Sequence, residues 1–106
     1  MVKVFISSPY TIGDVAVNVK NSLDMADKLI TLGFAPYAPL LSHFQHMQHP
    51  REYQDWLALD KEWLSVCDCM LRLPGESKGA DLEEVYALAL GIPVFRLIED
   101  LVDYYD

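Results

Sequence analysis

The stretch Pro74-Gly75-Glu76-Ser77-Lys78-Gly79-Ala80-Asp81-Leu82-Glu83 gathers the groups best suited to chemistry in this chain. Gly75 and Gly79 allow a tight turn and a close approach of ligand to backbone. Ser77 supplies a hydroxyl, and the free amides at the start of the following helix can donate to an anion. Glu83 lies in or near the first turn of that helix, where the dipole favours an ionised carboxylate. A fixed, ionised carboxylate is what a nucleophile requires. Leaving-group protonation needs a second acid unless the base takes its proton from water, and Asp81, Glu84 and Asp68 are in reach by sequence. A plainer reading makes Ser77 and Asp81 helix caps and Glu83 an ordinary first-turn acid. The spacing within this loop leaves both open.

A second group of polar side chains lies in PLLSHFQHMQHP, residues 39–50. His43, His46 and His49 recur every third residue, which drifts around a helix axis, and Pro50 limits any helix there. A lid over a ligand, or a solvated surface, fits them better than a metal site. Gln45 is a base-contact candidate on the same segment, and Phe44 an aromatic one. Trp56 and Trp63, at helical spacing, belong to a core or a subunit interface. No metal or organic cofactor is expected.

These residues need elements to position them. Residues 2–7 read as a strand ending at Ser7-Ser8-Pro9. Asp14 is a candidate N-cap for a helix with Ala16, Val19, Leu23, Ala26 and Ile30 at helical spacing, ended by Gly33. Residues 34–38 read as a second strand and 39–50 as a long functional loop with room for a helical turn. A helix resumes at Glu52. Val66–Leu73 reads as a third strand, with Cys67 and Cys69 on one face as buried thiols. Residues 79–90 read as a helix, 93–97 as a fourth strand, and the acidic tail as a short helix with a solvated face. This alternation predicts an α/β fold: one domain over residues 1–106, a doubly wound parallel sheet of four to five strands, in a flavodoxin-like three-layer sandwich. Ligands in such sheets bind beyond the carboxyl ends of the strands, which selects the loops Ser7–Gly13, Pro39–Pro50 and Pro74–Gly79.

Composition narrows the partners. The 106 residues fit a single domain, and 52% hydrophobic residues suffice for a core. A net charge of −8 disfavours a nucleic acid polymer, while one small phosphate remains within reach of helix N-termini. No signal peptide or membrane-length apolar run is evident, so a cytoplasmic protein with no membrane partner is expected. Small size favours a homodimer or higher homo-oligomer.

The pattern Ser77-x-Gly79-x-x-x-Glu83-x-x-x-Ala87-x-x-x-Gly91-x-Pro93 resembles the signature of the nucleoside 2-deoxyribosyltransferase superfamily, which includes the 2-deoxynucleoside 5-monophosphate N-hydrolases. Asp60-x-x-Trp63-Leu64-x-x-Cys67-Asp68 and the opening Val4-Phe5-Ile6-Ser7-Ser8-Pro9-Tyr10 are similar to two further family segments, in the same order. Leu41-Ser42-His43-Phe44 and Leu73-Pro74-Gly75-Glu76-Ser77 resemble a small bacterial and phage branch. The resemblance implies that Glu83 attacks C1′ of a nucleoside or nucleoside 5′-monophosphate and forms a glycosyl-enzyme intermediate. Water or a second base then releases the sugar. It further implies that Asp60 organises the site, that Ser77 and Gly79 bind the sugar side and a 5′-phosphate, and that Ser7, Ser8, Pro9 and Tyr10 form the first substrate loop. Phe5 departs from the pattern, standing where many relatives carry a tyrosine whose hydroxyl lies near the catalytic glutamate; that hydroxyl is absent here unless Tyr10 reaches the same place. The alternative is a non-catalytic nucleotide-binding protein, a sensor or sequestering module with the same pocket.

Overall fold

The computed structural model describes residues 1–106. Four parallel strands, β1 (Lys3–Ser7), β2 (Ala35–Tyr37), β3 (Cys69–Arg72) and β4 (Val94–Phe95), form one sheet in the order β2-β1-β3-β4. Five α-helices connect and flank them: α1 (Val15–Thr31), α2 (Ser42–Gln48), α3 (Tyr53–Leu64), α4 (Lys78–Ala89) and α5 (Ile98–Tyr105). The fold is the expected doubly wound α/β sandwich, with four strands. Strand order reverses at β1, so the crevice between the ends of β1 and β3 is where such a sheet binds ligands.

The period of two along the strands divides the core. Val4 and Ile6 of β1, with Cys69 and Leu71 of β3, pack beneath α1 and α5 against Leu29, Ile98 and Leu101. Phe5 and Met70 point the other way, against Leu64, Ala87 and Ile92 on the side of α3 and α4. Alternation then sends Ser7 and Arg72 to that second side, at the carboxyl ends of their strands. This parity brings polar groups under α4.

Helix α1 begins at its expected cap: Asp14 Oδ1 accepts from the Ala16 and Val17 amides at 2.9 and 3.2 Å. Its buried stripe is Val19, Ser22 and Leu29, whereas Ala16 and Ile30 face solvent. The buried face is rotated from the expected one because Ser22, a small polar residue, fits against the sheet. The expected third strand is shorter than 66–73. Ser65, Val66 and Cys67 donate backward to Lys61, Trp63 and Leu64 carbonyls, so the chain is still leaving α3 there. Cys67 consequently packs with the Phe5–Met70 cluster and Cys69 with the opposite one. The two thiols do not share a face, and both are free. Residues 39–50 are a 3-10 turn, Pro39–Leu41, running into α2 rather than an irregular loop. The tail helix keeps an acidic outer side but buries Ile98 and Leu101.

Arg72 binds the β3–α4 loop together. It is 5% exposed, and its guanidinium donates to the Gly75 carbonyl at 2.8 Å, the Leu73 carbonyl at 3.1 Å and the Asp81 carboxylate at 2.8 Å. Gly75 adopts φ +123°, and a Cβ there would lie 2.8 Å from Pro9 Cγ. The first and third ligand loops therefore touch at a point that only glycine fits. Gly75→Ala is expected to cost about 2 kcal/mol, lowering the thermal midpoint by roughly 10 °C in a calorimetric scan. An unchanged midpoint would mean the two loops are not braced there.

Candidate functional site

Helix α4 turns the stripe Ala80, Glu83 and Ala87 toward the sheet. Alanines on either side of Glu83 let the helix sit close over β1 and β3, so the carboxyl is carried inward to 9% exposure. Ser7 Oγ donates to Glu83 Oε1 at 2.9 Å. Asp60 arrives from α3 and shares a hydrogen bond with the Glu83 carboxyl. Burial pushes Glu83 up to about 8, the Asp60 charge adds to that rise, and the Ser7 hydroxyl and then the Arg72 charge oppose it. Burial also pushes Asp60 up to about 6, opposed by its hydrogen bond with Glu83. Glu83 is buried and Asp60 half-buried, and acids whose charges act on one another in this way titrate as a pair. Around neutral pH they hold one proton between them.

The pair opens onto a cleft of about 640 Å³ at the carboxyl ends of the strands, within the range of about 300–1,000 Å³ typical of small-molecule sites. Among the residues singled out in the sequence, Glu83, Asp60, Ser8, Tyr10, Ser77 and Gly79 line it. Ser7 stands behind Glu83 as its hydrogen-bond donor. Ser77 caps α4, with its Oγ accepting from the Ala80 amide at 3.1 Å. The cap thus coexists with a place in the cleft wall, and both readings of Ser77 apply. Gly79 lets the Tyr53 hydroxyl close over the helix start: a Cβ there would lie 3.1 Å from Tyr53 Oη.

Three residues expected to contact substrate are placed elsewhere. Asp81 is drawn outward to Arg72, with its side chain 67% exposed. Pro9 packs on Gly75 and borders a separate groove along α1. Gln45 is exposed, because Ser42 and His46 are the α2 residues that face the cleft and position 45 lies one residue, about 100°, around the axis from His46. Phe44 is likewise exposed. The alternative acids are committed too. Asp68 Oδ2 accepts from the Lys3 amide at 2.8 Å, at the opposite end of β1 from the cleft, and Glu84 pairs with Arg72 and Arg96. Tyr10 is held by His43, its hydroxyl 2.6 Å from Nδ1, so it does not stand in for the hydroxyl that Phe5 lacks. The phenol that feels both acids is Tyr37, the register partner of Phe5 on β2. Burial, then the charges of Asp60, Cys67 and Glu83, push it up to about 12.

Trp56, expected in a core or interface, lines the cleft instead, and its indole donates to His46 Nδ1 at 3.0 Å. Trp63 stacks on Tyr37 at the edge of the sheet, with centroids 5.6 Å apart. Arg51 and Lys78 are the cations of the lining. Sequence reasoning missed both, along with Arg72. For Arg72 a signal existed: it is a lone cation ending an apolar strand, at the parity of Met70. For Arg51 none did, since only the fold brings it round. No cluster of three or more His, Cys, Asp or Glu side chains is placed to hold a metal ion. No helix is long and apolar enough to cross a membrane.

Residues 2–97 match the family described as a domain of unknown function, DUF7768. No curated protein matches the chain in sequence. Among solved structures, the fold is similar to a 2-deoxyribosyltransferase from the psychrotolerant bacterium Bacillus psychrosaccharolyticus. The TM-score is 0.64 at 20% identity, over 87% of this chain and 69% of that one. The likeness is one of fold.

Proposed function

The chain belongs to the DUF7768 family, and we propose that it cleaves the N-glycosidic bond of a nucleoside or nucleoside 5′-monophosphate, with Glu83 as nucleophile and Asp60 as its proton partner. The observation that carries this reading is geometric: the buried Glu83 carboxyl, held by Ser7, stands with Asp60 in the wall of a nucleoside-sized cleft. Fold similarity to a deoxyribosyltransferase supports it, as does the sequence pattern around Glu83.

The chemistry balances on that pair. In the reactive form Glu83 is ionised and Asp60 holds the shared proton. Glu83 attacks C1′ as the C–N bond breaks through an oxocarbenium-like transition state. The Asp60 proton goes to the departing base nitrogen, leaving a neutral glycosyl ester beside an ionised Asp60. Water then adds to C1′ and gives its proton to Asp60, Glu83 departs as carboxylate, and the pair is again singly protonated. A second base could accept the sugar in place of water. Ser7 holds Glu83 Oε1 in line throughout. Ser77, the start of α4 and Lys78 make that side of the cleft suited to a 5′-phosphate. The outer side of α4 exposes Leu82, Val85 and Leu88, which supports the homodimer expected for so small a chain.

The test is base release from a panel of ribo- and deoxyribonucleosides and their 5′-monophosphates, read by chromatography. Release of a free base by the wild-type chain is expected, faster with the monophosphate. A second reading has one observation in its favour: the Glu83 carboxyl is buried, and burial pushes it up to about 8, as suits a binding module that performs no attack. Tight binding of a nucleotide with no base released would decide for that module.

A further inference from the structure

His46 lines the cleft half-buried, and its Nδ1 is approached by two groups that can only donate. The Trp56 indole N–H lies 3.0 Å from it and the Arg51 backbone N–H 3.2 Å. Neither an indole N–H nor a peptide N–H has a lone pair to offer. Nδ1 must therefore be the unprotonated nitrogen, and the ring proton of the neutral imidazole sits on Nε2. The arrangement is built by the chain: α2 ends at Gln48, and the turn through His49 and Pro50 returns the Arg51 amide to His46. The ring is further held edge-on to Trp56, with centroids 5.8 Å apart at 72°. His43 differs, because its partner is a Tyr10 hydroxyl, which can donate or accept. Nε2 of His46 has no protein partner, and it is not among the buried unpaired atoms.

We propose that His46 is a specificity-determining residue: its Nε2–H is a fixed donor of the cleft that reads an acceptor, a carbonyl oxygen or unprotonated ring nitrogen, on the heterocyclic base of the ligand. This rests on the nucleoside reading above and narrows it. A base that presents an N–H or amino group at that position sets donor against donor, and neither ring rotation nor tautomer exchange relieves it without breaking the bonds from Trp56 and Arg51. Specificity of this kind follows from leaving polar groups unpaired in a partly desolvated site.

Two measurements on the full chain test it. The first is the two-bond proton–nitrogen NMR spectrum of the imidazoles in 15N-labelled wild type. His46 is expected as the single Nε2–H tautomer; an Nδ1–H tautomer or an exchanging mixture overturns the proposal. The second compares binding of nucleosides with analogues lacking one acceptor, such as deaza purines and pyrimidines with a carbonyl removed. For one acceptor position, wild type should bind the analogue tenfold to a hundredfold more weakly, and His46→Phe should erase that difference. His46→Gln, whose amide oxygen can accept from Trp56 while its nitrogen donates onward, should restore part of it. Equal affinity for every analogue by a wild type that binds nucleosides defeats this inference alone. If no nucleoside or nucleotide binds at all, the reading of the cleft fails, whatever the tautomer of His46.

Discussion

Glu83→Gln is expected to abolish base release while making the protein more stable, and the gain should grow with pH. The first half follows from chemistry: an amide cannot form the glycosyl ester, and loss of a covalent nucleophile costs a thousandfold or more, on the order of 10³–10⁶. The second half follows from burial. Folding carries the carboxyl from an ordinary value of 4.5 up to about 8, with desolvation as the largest cause. The folded state therefore binds this proton more tightly than the unfolded state does. The associated stability is fully present below about pH 4.5 and is lost as pH rises through about 8. Glutamine keeps the shape, accepts from Ser7 and donates to Asp60, yet has no charge to desolvate. At pH 8.5 the variant should exceed wild type by on the order of 5 kcal/mol, from a rise from 4.5 to about 8 at about 1.36 kcal/mol per unit, or roughly 20 °C in thermal midpoint. At pH 5 the two should nearly coincide. Denaturant melts at both pH values provide the check. A variant less stable than wild type at pH 8.5 would mean that the ionised carboxyl is well accommodated in the fold.

Which parts of this site are legible in the sequence follows from how local their causes are. The α/β order, the Asp14 and Ser77 caps and the position of Glu83 depend on local rules: turn residues, capping and helical spacing. The pairing of Glu83 with Asp60 came from a resemblance, since no local rule links residues on separate helices. Arg51 and Tyr53 are hidden because the return of the chain after α2 brings them to the cleft, and Tyr37 because the sheet order sets it beside Phe5. Asp81 and Gln45 failed for a related reason. Both lie close in sequence to residues that do line the cleft, but a helix turns its neighbours about 100° apart. Asp81 moreover is drawn to the buried Arg72 guanidinium. Trp56 shows the opposite error: helical spacing marks a face, and the cleft and the core here share one.

The pH profile tests the chemistry of the pair itself. Base release is expected to follow a bell centred near neutrality, with limbs set by the apparent values of the pair, about 6 and about 8. Below the lower limb both acids are protonated and no nucleophile exists. Above the upper limb both are ionised and no proton is available for the departing base. The two limbs respond to different substitutions. Ser7→Ala removes the hydrogen bond that favours ionised Glu83, so the alkaline limb should move upward by roughly one unit, the equivalent of about 1.4 kcal/mol. Asp60→Asn removes the acid and also the charge that raises Glu83. The rate should fall about 10²–10⁴-fold, and what remains should rise along one limb, displaced to lower pH, and then stay level through pH 9. A substrate whose base departs without protonation should recover most of that loss. Steady-state rates from pH 5 to 9 on wild type and the two variants supply the comparison. A bell that survives Asp60→Asn unchanged would show that the proton for the leaving base comes from somewhere other than the pair.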